Sequence, residues 1–518
     1  MNRETHVAAL GAERFDICIV GGGATGLGAA VDAAARGHRV ALVEQADFAK
    51  GTSSRSTKLV HGGVRYLKQG NVSLVLEALR ERGRLARNAP HLVHDLSFVI
   101  PTYKWWEGPF YGVGMKVYDG LAGKLGFGPS QLLSKEETIA RIPTIETEGL
   151  TGGVMYHDGQ FDDARLAIHL AMTASGLGAR LANRVCCRGL VKEGGMVRGV
   201  EVEDLESGRS FRIHAGCVVN AAGVFVDEVR AFDEPAAKPL VAVSQGIHLV
   251  LPQEFLPGDS AIMVPKTEDG RVLFAVPWHD RVVVGTTDTP LTAKSLEPRA
   301  LPEEIDFIME HAARYLSRDP APADVKSVFA GLRPLVKAGD GGDTASLSRD
   351  HTILVGQSGL ITITGGKWTT YRKMAEDVID HAEMVAGLDA VRCHTDTLQV
   401  HGATELEIPE QNLQAYGSDS ELIRALDEAD LIHPALQLTR AEVRWHARQE
   451  MARSVEDVLA RRSRCLLLDA RASIEAAPAV AAILREELFR DAAWEEQQVK
   501  DYAGLARGYV FGDPASAG

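Results

Sequence analysis

Residues 15–44 read FDICIVGGGATGLGAAVDAAARGHRVALVE, and this stretch decides the fold of the chain. An apolar, β-prone run ends at Val20, and Gly21, Gly23 and Gly26 then supply the pattern G-x-G-x-x-G where a strand must turn into a helix. The first glycine permits the turn, the second lets the backbone approach a pyrophosphate, and the third lets the helix lie close to the sheet. The stretch therefore predicts a dinucleotide-binding unit whose helix N-terminus faces the phosphates.

The second half of the stretch predicts how a ribose is held. After an alanine-rich helix that ends near Gly37, a buried strand at Val40–Val43 leads to Glu44, which stands 18 residues after Gly26. An acidic side chain at this position accepts hydrogen bonds from ribose hydroxyls and repels a ribose phosphate, which disfavours NADP. The stretch alone leaves FAD and NAD open as cofactors.

Composition bounds the class of protein. The 518 residues, 45% hydrophobic and 24% charged, are too many for one ordinary core and typical of a folded, multidomain chain. The formal net charge of −14, without a long basic tract, argues against a nucleic-acid partner. The six cysteines include no C-x-x-C pair, so we expect reduced core thiols, and we predict no metal site. Residues 1–14 lack a signal-peptide core and no long apolar run occurs, which predicts a cytoplasmic protein or one on a membrane face bordering the cytoplasm.

A second glycine turn follows the strand predicted at Ile361–Thr364. It contains Gly366 and Lys367, but Ile361 and Trp368 occupy the positions where a phosphate-binding P-loop needs a glycine and a serine or threonine, so we exclude ATP hydrolysis. A helix that begins after such a turn can direct its positive end at a ring that becomes an anion when reduced, which is flavin chemistry. The two turns together favour FAD over NAD.

Patterns along the chain predict an α/β protein with three domains. Strand and helix alternation indicates a doubly wound, Rossmann-like FAD-binding domain, alternating short strands indicate an antiparallel-sheet substrate domain, and a purely helical pattern indicates a C-terminal α-helical domain. The FAD-binding domain is predicted at residues 1–75, 155–230 and 345–390, the substrate domain at 76–154 and 231–344, and the helical domain at 391–518.

Two helical predictions concern burial and length. The helix predicted at Val72–Ala89 carries a charged side that we expect to face solvent. This side consists of Glu77, Arg80, Glu81, Arg82 and Arg84. Helices at Ala441–Arg462 and Ala477–Phe489 are expected to form the C-terminal bundle, with residues 402–420 as a loose connection.

Six motifs resemble those of the aerobic, FAD-dependent glycerol-3-phosphate dehydrogenase family, in the order found in that family. They are KLVHGGVRYL (58–67), GQFDDARL (159–166), VVGTTDT (283–289), AGLRPL (330–335), SLSRDH (346–351) and ITGGKWTTYRKMAEDVI (363–379). The resemblance continues through residues 441–464 and is strongest to the mitochondrial form without its calcium-binding extension, because no D-x-[DN]-x-[DN]-G loop occurs.

The resemblance implies an activity and a location. The enzyme would oxidise sn-glycerol 3-phosphate to dihydroxyacetone phosphate by hydride transfer to FAD and pass the electrons to a membrane quinone. It would be attached peripherally to the inner face of the cell membrane. We expect FAD to be bound without a covalent bond, since the nucleotide-side motifs are complete and the cysteines have core-like contexts. The sequence does not fix the oligomeric state, and a homodimer stays open.

The residues expected to hold FAD lie in the two glycine turns, at the ends of strands and in the polar stretch after Glu44, whose hydroxyls can bind a second phosphate. They are Gly21, Gly23, Ala24, Thr25, Gly26, Glu44, Gln45, Thr52, Ser53, Ser54, Lys58, Leu59, His61, Gly62, Gly63, Val185, Ala222, Gly223, Gly366, Lys367, Trp368 and Thr369.

A phosphate dianion in an acidic protein needs several fixed cations, and four lie beside a glycine turn or a strand end. They are Arg65, Arg333, Arg349 and Lys367. Any one of them could be an ordinary ion-pair residue, but their place in motifs matching the family favours a substrate pocket, and we assign Arg65, Arg333 and Lys367 to catalysis as well.

Oxidation at a carbon that bears a hydroxyl requires a base near neutral pKa, for which His61 and His248 are the candidates. A structural role for either histidine stays open. Tyr66, Thr287 and His248 are expected to contact or orient the substrate.

The stretch Tyr103–Phe127 concentrates aromatic side chains and lysines in an acidic protein. The side chains concerned are Trp105, Trp106, Phe110, Tyr111, Met115, Tyr118 and Phe127, with Lys104, Lys116 and Lys124. Rings that enter the headgroup boundary and lysines that meet anionic lipid are typical of an interfacial segment. The alternative is that the rings fill the core of the substrate domain, and only the resemblance favours the membrane.

Three other functions compete with the quinone-linked dehydrogenase. A soluble glycerol-3-phosphate oxidase would deliver electrons to oxygen. An oxidase of the D-amino-acid oxidase type would bind a carboxylate with about one arginine rather than a phosphate with several cations. A flavin-carrying sensor would use the C-terminal bundle as its working part. Reduction of the flavin by glycerol 3-phosphate, but not by amino acids, separates these functions.

Overall fold

The computed structural model describes residues 1–63, 71–265, 267, 271–337 and 351–513, and the side chain of Lys124 lies outside the description. The strands are β1 Arg14–Val20, β2 Val40–Val43, β3 Leu59–Val60, β4 Val93–Thr102, β5 Gln131–Leu133, β6 Gly152–Phe161, β7 Arg180–Ala182, β8 Val185–Glu193, β9 Met196–Asp204, β10 Ser210–Asn220, β11 Val241–Pro252, β12 Ser260–Val264, β13 Leu273–Trp278, β14 Arg281–Gly285, β15 Thr289–Leu291, β16 Ser327–Val336, β17 His351–Val355 and β18 Ile361–Gly365.

The α-helices of these residues are α1 Arg3–Ala12, α2 Ala24–Ala35, α3 Val72–Asn88, α4 Glu107–Ala122, α5 Lys135–Arg141, α6 Asp163–Gly176, α7 Val226–Asp233, α8 Pro302–Tyr315, α9 Tyr371–Ala386, α10 Ser420–Arg424, α11 Arg440–Gln449, α12 Cys465–Leu468, α13 Ala470–Glu487 and α14 Ala492–Arg507. A short π-helical turn at Asp457–Arg462 lies between α11 and α12.

Within the described part of the chain, eight strands form sheet A. Its central path runs β17, β18, β10, β1, β2, β7, and all neighbours from β18 to β7 are parallel. Helices α2, α6 and α9 pack on it around an apolar core that includes Ile17, Ile19, Leu42 and Ile361, all buried. The strands are apolar along nearly their whole length because both faces of a parallel sheet are covered. The predicted doubly wound fold is confirmed, and β1, α2 and β2 lie where residues 15–44 predict them.

Sheet B contains ten of the described strands and is mostly antiparallel. Strand β11 is the longest of these strands, and it pairs with β14, β15 and β16. Its residues therefore extend from the cavity to the edge of the sheet. Helix α8 and the chain before β6 cover the face away from the cavity with buried aliphatic residues. This is the predicted antiparallel-sheet domain.

The structure places two segments in a different sheet from the one expected. Strand β6 begins before the predicted domain boundary at residue 155 and pairs antiparallel with β4, so residues 155–161 belong to sheet B. Strand β3 also pairs with β6, although it lies within the predicted FAD-binding segment 1–75. The two segments cross from one sheet to the other and thereby join the two halves of the site.

The expectation that the charged side of α3 faces solvent is wrong for two of its residues. Glu81 and Arg82 are buried. Arg372 of α9 donates to Glu81 at 2.7 Å, and Arg82 donates to Asp158 of β6 at 2.7 Å. Helix α3 lies between α9 and sheet B, so charged groups on it find partners on other elements instead of water.

The C-terminal domain is helical, as predicted, but the expected helix Ala441–Arg462 is not continuous. Helix α11 ends at Gln449, Met451 has a positive φ of 53°, and the π-helical turn begins only at Asp457. The carboxylate of Asp457 accepts hydrogen bonds from the backbone N–H groups of Arg453 at 2.8 Å and Ser454 at 3.1 Å. These hydrogen bonds fix the path of the chain between α11 and the π-helical turn. Among the described residues, no helix is long and apolar enough to cross a membrane.

Candidate active site

One cavity of about 560 Å³ reaches from sheet A to sheet B. On the sheet A side it is lined at the carboxyl ends of β1, β2, β10 and β18, which is where open α/β sheets bind their ligands. On the sheet B side its wall includes Gly246 and His248 of β11 and Arg333 of β16. A ligand that fills the cavity would therefore touch both the nucleotide turn and the substrate domain.

The first glycine turn has the shape that a pyrophosphate needs. Gly21 has a φ of 115°, and a Cβ there would lie 2.5 Å from the carbonyl oxygen of Ala221. A Cβ on Gly26 would lie 1.9 Å from the carbonyl oxygen of Gly21. At Gly23 a Cβ would approach the hydroxyl of Ser53 to 3.1 Å. Only glycine fits at the first two positions, and α2 begins directly after Gly23 with its N-terminus at the cavity.

Glu44 ends β2 at the cavity wall, where a ribose acceptor is expected. Its carboxylate accepts hydrogen bonds from the backbone N–H of Gly22 at 2.7 Å and of Ala46 at 2.8 Å. Burial is the main cause that raises the pKa of Glu44, and these two hydrogen bonds oppose the shift. The carboxylate is therefore held in one orientation beside the glycine turn, with lone pairs left over for ribose hydroxyls.

The second glycine turn is joined to the polar stretch that follows β2. The indole N–H of Trp368 donates to the carbonyl oxygen of Ser53 at 2.8 Å, and the backbone N–H of His61 donates to the hydroxyl of Thr369 at 3.1 Å. Trp368 also meets Phe161 edge to face, with ring centroids 5.5 Å apart. Two segments about 300 residues apart in the chain thus form one wall of the cavity, and α9 starts from it.

Two glycines of sheet B make room for the substrate-side groups. A Cβ on Gly285 would lie 2.3 Å from Cδ2 of His248, which is its cross-strand neighbour. A Cβ on Gly246 would lie 2.2 Å from Nη2 of Arg333. The imidazole and the guanidinium therefore each lie across the face of a glycine and reach the cavity from adjacent strands.

The Arg333 guanidinium is anchored by the turn after β14. Its Nη2 donates to the hydroxyl of Thr286 at 3.1 Å and to the carbonyl oxygen of Thr287 at 3.0 Å, and Nη1 lies 3.3 Å from the Asp288 carboxylate. The side chain is half-buried, so a charged group stands at the cavity in a fixed direction. This is the geometry in which an arginine binds an oxyanion.

His248 is held as a neutral imidazole. Its ring stacks on Phe329 with centroids 4.8 Å apart and 15° between planes, and Nε2 lies 2.9 Å from the hydroxyl of Thr57. Burial, with smaller contributions from the charges of Arg333 and Lys58, lowers the pKa of His248 well below its ordinary value. A neutral imidazole can accept a proton from a substrate hydroxyl, but the lowered pKa makes His248 a weaker base than the near-neutral group expected from the sequence.

Most predicted FAD residues line the cavity. They are Gly21, Gly23, Ala24, Thr25, Glu44, Gln45, Thr52, Ser53, Leu59, His61, Val185, Ala222, Gly223, Gly366, Lys367, Trp368 and Thr369. Gly26, Ser54, Gly62 and Gly63 are not among the residues that line the cavity. Gly26 keeps the role of close helix packing, and the backbone N–H of Gly62 donates to the hydroxyl of Tyr118 at 2.9 Å.

Two predicted contacts are corrected by the geometry. Lys58 is fully buried, and its ammonium donates to Asp163 and to the carbonyl oxygen of Ser54, both at 2.8 Å, so it braces the loop and does not reach the cavity. The Thr287 hydroxyl donates to Glu304 at 2.9 Å, away from the cavity, and its neighbour Thr286 contacts Arg333 instead. Both side chains could donate hydrogen bonds to a ligand, but each donates to a buried carboxylate instead. Arg65, Tyr66 and Arg349 lie outside the described residues.

The cavity wall also contains residues that the sequence predictions missed. Those nearest the predicted groups are Lys50, Arg55, Thr57, Cys186, Cys187 and Phe274. Thr57 lies in the same polar stretch as Thr52 and Ser53, so the composition of that stretch could have identified it as a site residue. Cys186 and Cys187 follow Val185, and burial raises the pKa of both thiols, that of Cys187 to about 12. Thiols in this state are poor nucleophiles, which agrees with a flavin bound without a covalent bond.

Among the residues described, no group of histidine, cysteine and carboxylate side chains could hold a metal ion.

Two family models match the chain. One described as FAD dependent oxidoreductase covers residues 16–372, and one described as C-terminal domain of alpha-glycerophosphate oxidase covers residues 356–498.

Known proteins show similarity over nearly the whole chain. The probable mitochondrial glycerol-3-phosphate dehydrogenase of Caenorhabditis elegans is 39% identical over 525 residues, which span 94% of this chain and 72% of that protein. The mitochondrial glycerol-3-phosphate dehydrogenase of Mus musculus is 38% identical over 537 residues, 96% of this chain and 73% of that one. The solved structure of the glycerol-3-phosphate dehydrogenase from Bacillus halodurans complexed with FAD has a TM-score of 0.81 at 27% identity and covers 98% of this chain and 97% of its own.

Proposed function

The chain belongs to the family of FAD-dependent glycerol-3-phosphate dehydrogenases, and from that premise we propose that it oxidises sn-glycerol 3-phosphate to dihydroxyacetone phosphate. One observation carries the proposal. A single cavity joins both glycine turns to a guanidinium and a buried neutral imidazole that stand on adjacent strands of sheet B. The cofactor is FAD, for which the two glycine turns, Glu44 and the N-terminus of α2 form a fitting cradle.

The substrate's phosphate would be bound by Arg333 and Lys367. Arg333 borders the cavity and is oriented by Thr286 and by the Thr287 carbonyl, so it loses little further entropy on binding an anion. Lys367 lines the same cavity at the second glycine turn. Two cations on opposite walls would place the phosphate between the flavin side and the substrate domain. Arg65, Tyr66 and Arg349 stay proposed partners from their motifs alone.

The residues of the site divide the chemistry among them. Oxidation at C2 breaks a C–H and an O–H bond, and the product is a ketone. When bound, FAD would supply the acceptor for the hydride, and a quinone is the electron acceptor that we propose. His248 would take the hydroxyl proton, because its ring is neutral and fixed by Thr57 and Phe329. His61, which also lines the cavity, is the second candidate for this base.

Anaerobic bleaching of the flavin tests the proposal. Glycerol 3-phosphate should abolish the visible flavin absorbance of the purified protein, whereas glycerol, glycine and D-alanine at the same concentration should leave it unchanged. Bleaching by an amino acid would indicate an amino-acid oxidase, and bleaching by none of them would favour a sensor.

Acid precipitation of the same sample tests how FAD is attached. All yellow colour should pass into the supernatant if FAD is bound without a covalent bond to the protein.

We propose further that the protein attaches peripherally to a membrane through helix α4 and donates electrons to a membrane quinone. Trp105, Phe110 and Val113 are 85%, 53% and 69% exposed, respectively, whereas Met115 and Tyr118 on the opposite side of α4 are buried. Phe110 and Val113 lie on α4 and Trp105 lies just before it, so exposed apolar side chains stand at a helix whose other face is buried, which is what an interfacial helix requires. The inner face of the cell membrane is the proposed location.

The choice of electron acceptor separates the dehydrogenase from a soluble oxidase. With glycerol 3-phosphate in excess, turnover with a soluble quinone should exceed turnover with air-saturated buffer by about tenfold or more. Peroxide formed in a one-to-one ratio with product at the full rate would instead support the soluble glycerol-3-phosphate oxidase. This measurement does not depend on which histidine is the base.

A further inference from the structure

The loop that follows β2 lies between the first glycine turn and the C-terminal domain. We call residues 44–52 the ribose loop, because Glu44 begins it and most of its members line the cavity. On one side the backbone N–H of Ala49 donates to the carbonyl oxygen of Gly22 at 2.9 Å. On the other side the loop contacts the π-helical turn Asp457–Arg462. The position of the loop thus depends on contacts made more than 400 residues later in the chain.

Asp47 is the center of this contact. It is buried, and its carboxylate accepts hydrogen bonds from Nε of Arg461 at 2.5 Å and from Nη2 of Arg462 at 3.0 Å, while a second Arg462 nitrogen also contacts it. The amide of Asn183, at the end of β7, donates to the same carboxylate at 3.0 Å. Two arginines and an amide thus satisfy one carboxylate that is shielded from water, and removing an arginine would leave that charge without its main partner.

The arginines are themselves held from inside the C-terminal domain. Arg461 donates to Asp457 at 2.7 Å and to Glu456 at 2.6 Å, and Arg462 donates to the carbonyl oxygen of Glu450 at 2.7 Å. Glu456 also accepts from the ammonium of Lys50, a cavity residue of the ribose loop, at 2.6 Å. The loop is therefore held at two points, at Asp47 by the turn and at Lys50 by Glu456, the residue directly before the turn.

We propose that the π-helical turn of the C-terminal domain positions the ribose loop and thereby sets the affinity for FAD. The turn holds Asp47, Asp47 fixes the loop, and the loop orients Glu44 toward the glycine turn. The charge of Arg461 also offsets part of the repulsion between the neighbouring carboxylates of Asp47 and Glu44. Arg461 and Arg462 are positioning residues in this scheme, since neither lines the cavity. The coupling is reciprocal, so FAD binding must stabilise the docked turn.

Titration of the apoprotein with FAD, followed by flavin fluorescence, tests the proposal in the full-length protein. We expect Arg462→Gln to raise the dissociation constant of FAD by about tenfold or more. Arg462→Lys keeps the positive charge and should restore part of the lost affinity for FAD. The matched control is Arg444→Gln, which removes a cation paired with Glu428, Glu486 and Glu487 inside the same domain, away from the loop. The control should lower the thermal midpoint but leave FAD affinity within about twofold.

If Arg462→Gln lowers the thermal midpoint as the control does and FAD affinity stays at the wild-type value, the turn is merely structural and the proposal is overturned. Hydrogen exchange on the wild type covers the case in which the variant does not fold. FAD should slow exchange in residues 457–464 as well as in 44–52, with α13 as the reference. Protection of 44–52 without protection of 457–464 would equally overturn it. Neither readout uses glycerol 3-phosphate, so failure here is distinct from failure of the proposed activity.

Discussion

At the scale of single residues, replacing Arg333 or Lys367 tests whether the cavity contains a phosphate-binding pocket. We expect Arg333→Ala and Lys367→Ala each to lower kcat/KM for glycerol 3-phosphate by one to several orders of magnitude, because losing a charge-assisted contact to a buried dianion costs about 2 to 5 kcal/mol. Steady-state kinetics with a soluble quinone measures this. Flavin content should survive Arg333→Ala, since Arg333 stands on sheet B and its guanidinium is oriented by the turn 286–288. Equal oxidation of unphosphorylated glycerol by the wild type would show that no such pocket exists.

His248 supports a prediction about pH. Burial first, and then the charges of Arg333 and Lys58, lower its pKa well below the ordinary value, so the imidazole stays neutral as the pH falls through about 6.5. We expect kcat at saturating substrate to stay level from about pH 8 to pH 6, whereas a solvent-exposed histidine base would lose half of its activity near pH 6.5. Saturating substrate removes the effect of the phosphate's own titration on binding.

A replacement distinguishes the two histidines. His248→Asn should lower kcat by about a hundredfold or more without altering flavin content, as loss of a general base does. Full activity of this variant would assign proton removal to His61. A kcat that halves near pH 6.5 in the wild type would contradict the neutral, buried state of His248 as the working base.

At the scale of secondary-structure elements, the close packing of α2 on β1 rests on one missing side chain. A Cβ on Gly26 would lie 1.9 Å from a backbone oxygen that cannot move aside. We expect Gly26→Ala to yield protein without flavin and to destabilise it by more than about 2 kcal/mol. Gly120→Ala in α4 is the control, because a Cβ there meets nothing within 4 Å, and it should raise stability by up to about 1 kcal/mol. The flavin-to-protein absorbance ratio and thermal unfolding measure both effects.

Helix α4 carries the prediction about the membrane. We expect the purified protein to bind anionic liposomes in sedimentation assays, and Trp105→Ser with Phe110→Ser to reduce binding by about tenfold, since each exposed ring contributes its apolar area. Charge reversal at Lys104, Lys116 and Lys124 should weaken binding further at low salt. Phe489→Ser is the matched control, because Phe489 is 96% exposed at the end of α13 and far from α4 in sequence. Binding that is lost equally with the control would exclude α4 as the attachment site.

At the scale of the whole molecule, buried neutral histidines make the protein acid-labile. Burial lowers the pKa of His91 and of His446 to about 3. The unfolded chain takes up these protons near pH 6.5 and the folded chain does not, so stability falls as the pH decreases from about 6.5 toward 3, by up to about 1.4 kcal/mol per histidine and pH unit. We expect the thermal midpoint to decline clearly between pH 7 and pH 5.

Replacement of one histidine checks the cause. His446 is held by the hydroxyl of Tyr416 at 2.6 Å, so His446→Gln should lower stability at pH 7 but flatten its decline toward pH 5. An unchanged thermal midpoint from pH 7 to pH 5 in the wild type would contradict the assignment.

Local sequence determined the elements and the chemistry of the nucleotide half. Residues 15–44 contain strand, glycine turn, helix and acidic end in a spacing that only the observed βαβ unit satisfies, because hydrophobic periodicity and glycine φ angles act over a few residues. The same holds for the turn at Gly365–Lys367, whose strand and helix lie where predicted. Arg333, in the motif AGLRPL, and His248 were also assigned to the substrate site from the sequence, and both line the cavity.

Tertiary structure alone decided what those side chains meet. Lys58 and Thr287 have the chemistry of site residues, yet Asp163 and Glu304 hold them away from the cavity, and Glu81 and Arg82 are buried although their helix pattern is charged. The sheet to which β6 belongs and the contact of Arg461 with Asp47 likewise depend on partners that are distant in the chain. A local sequence pattern indicates which interactions a side chain is able to make. Which partner it finds is set by the packing of distant elements, where burial makes each unpaired charge costly and so selects one arrangement.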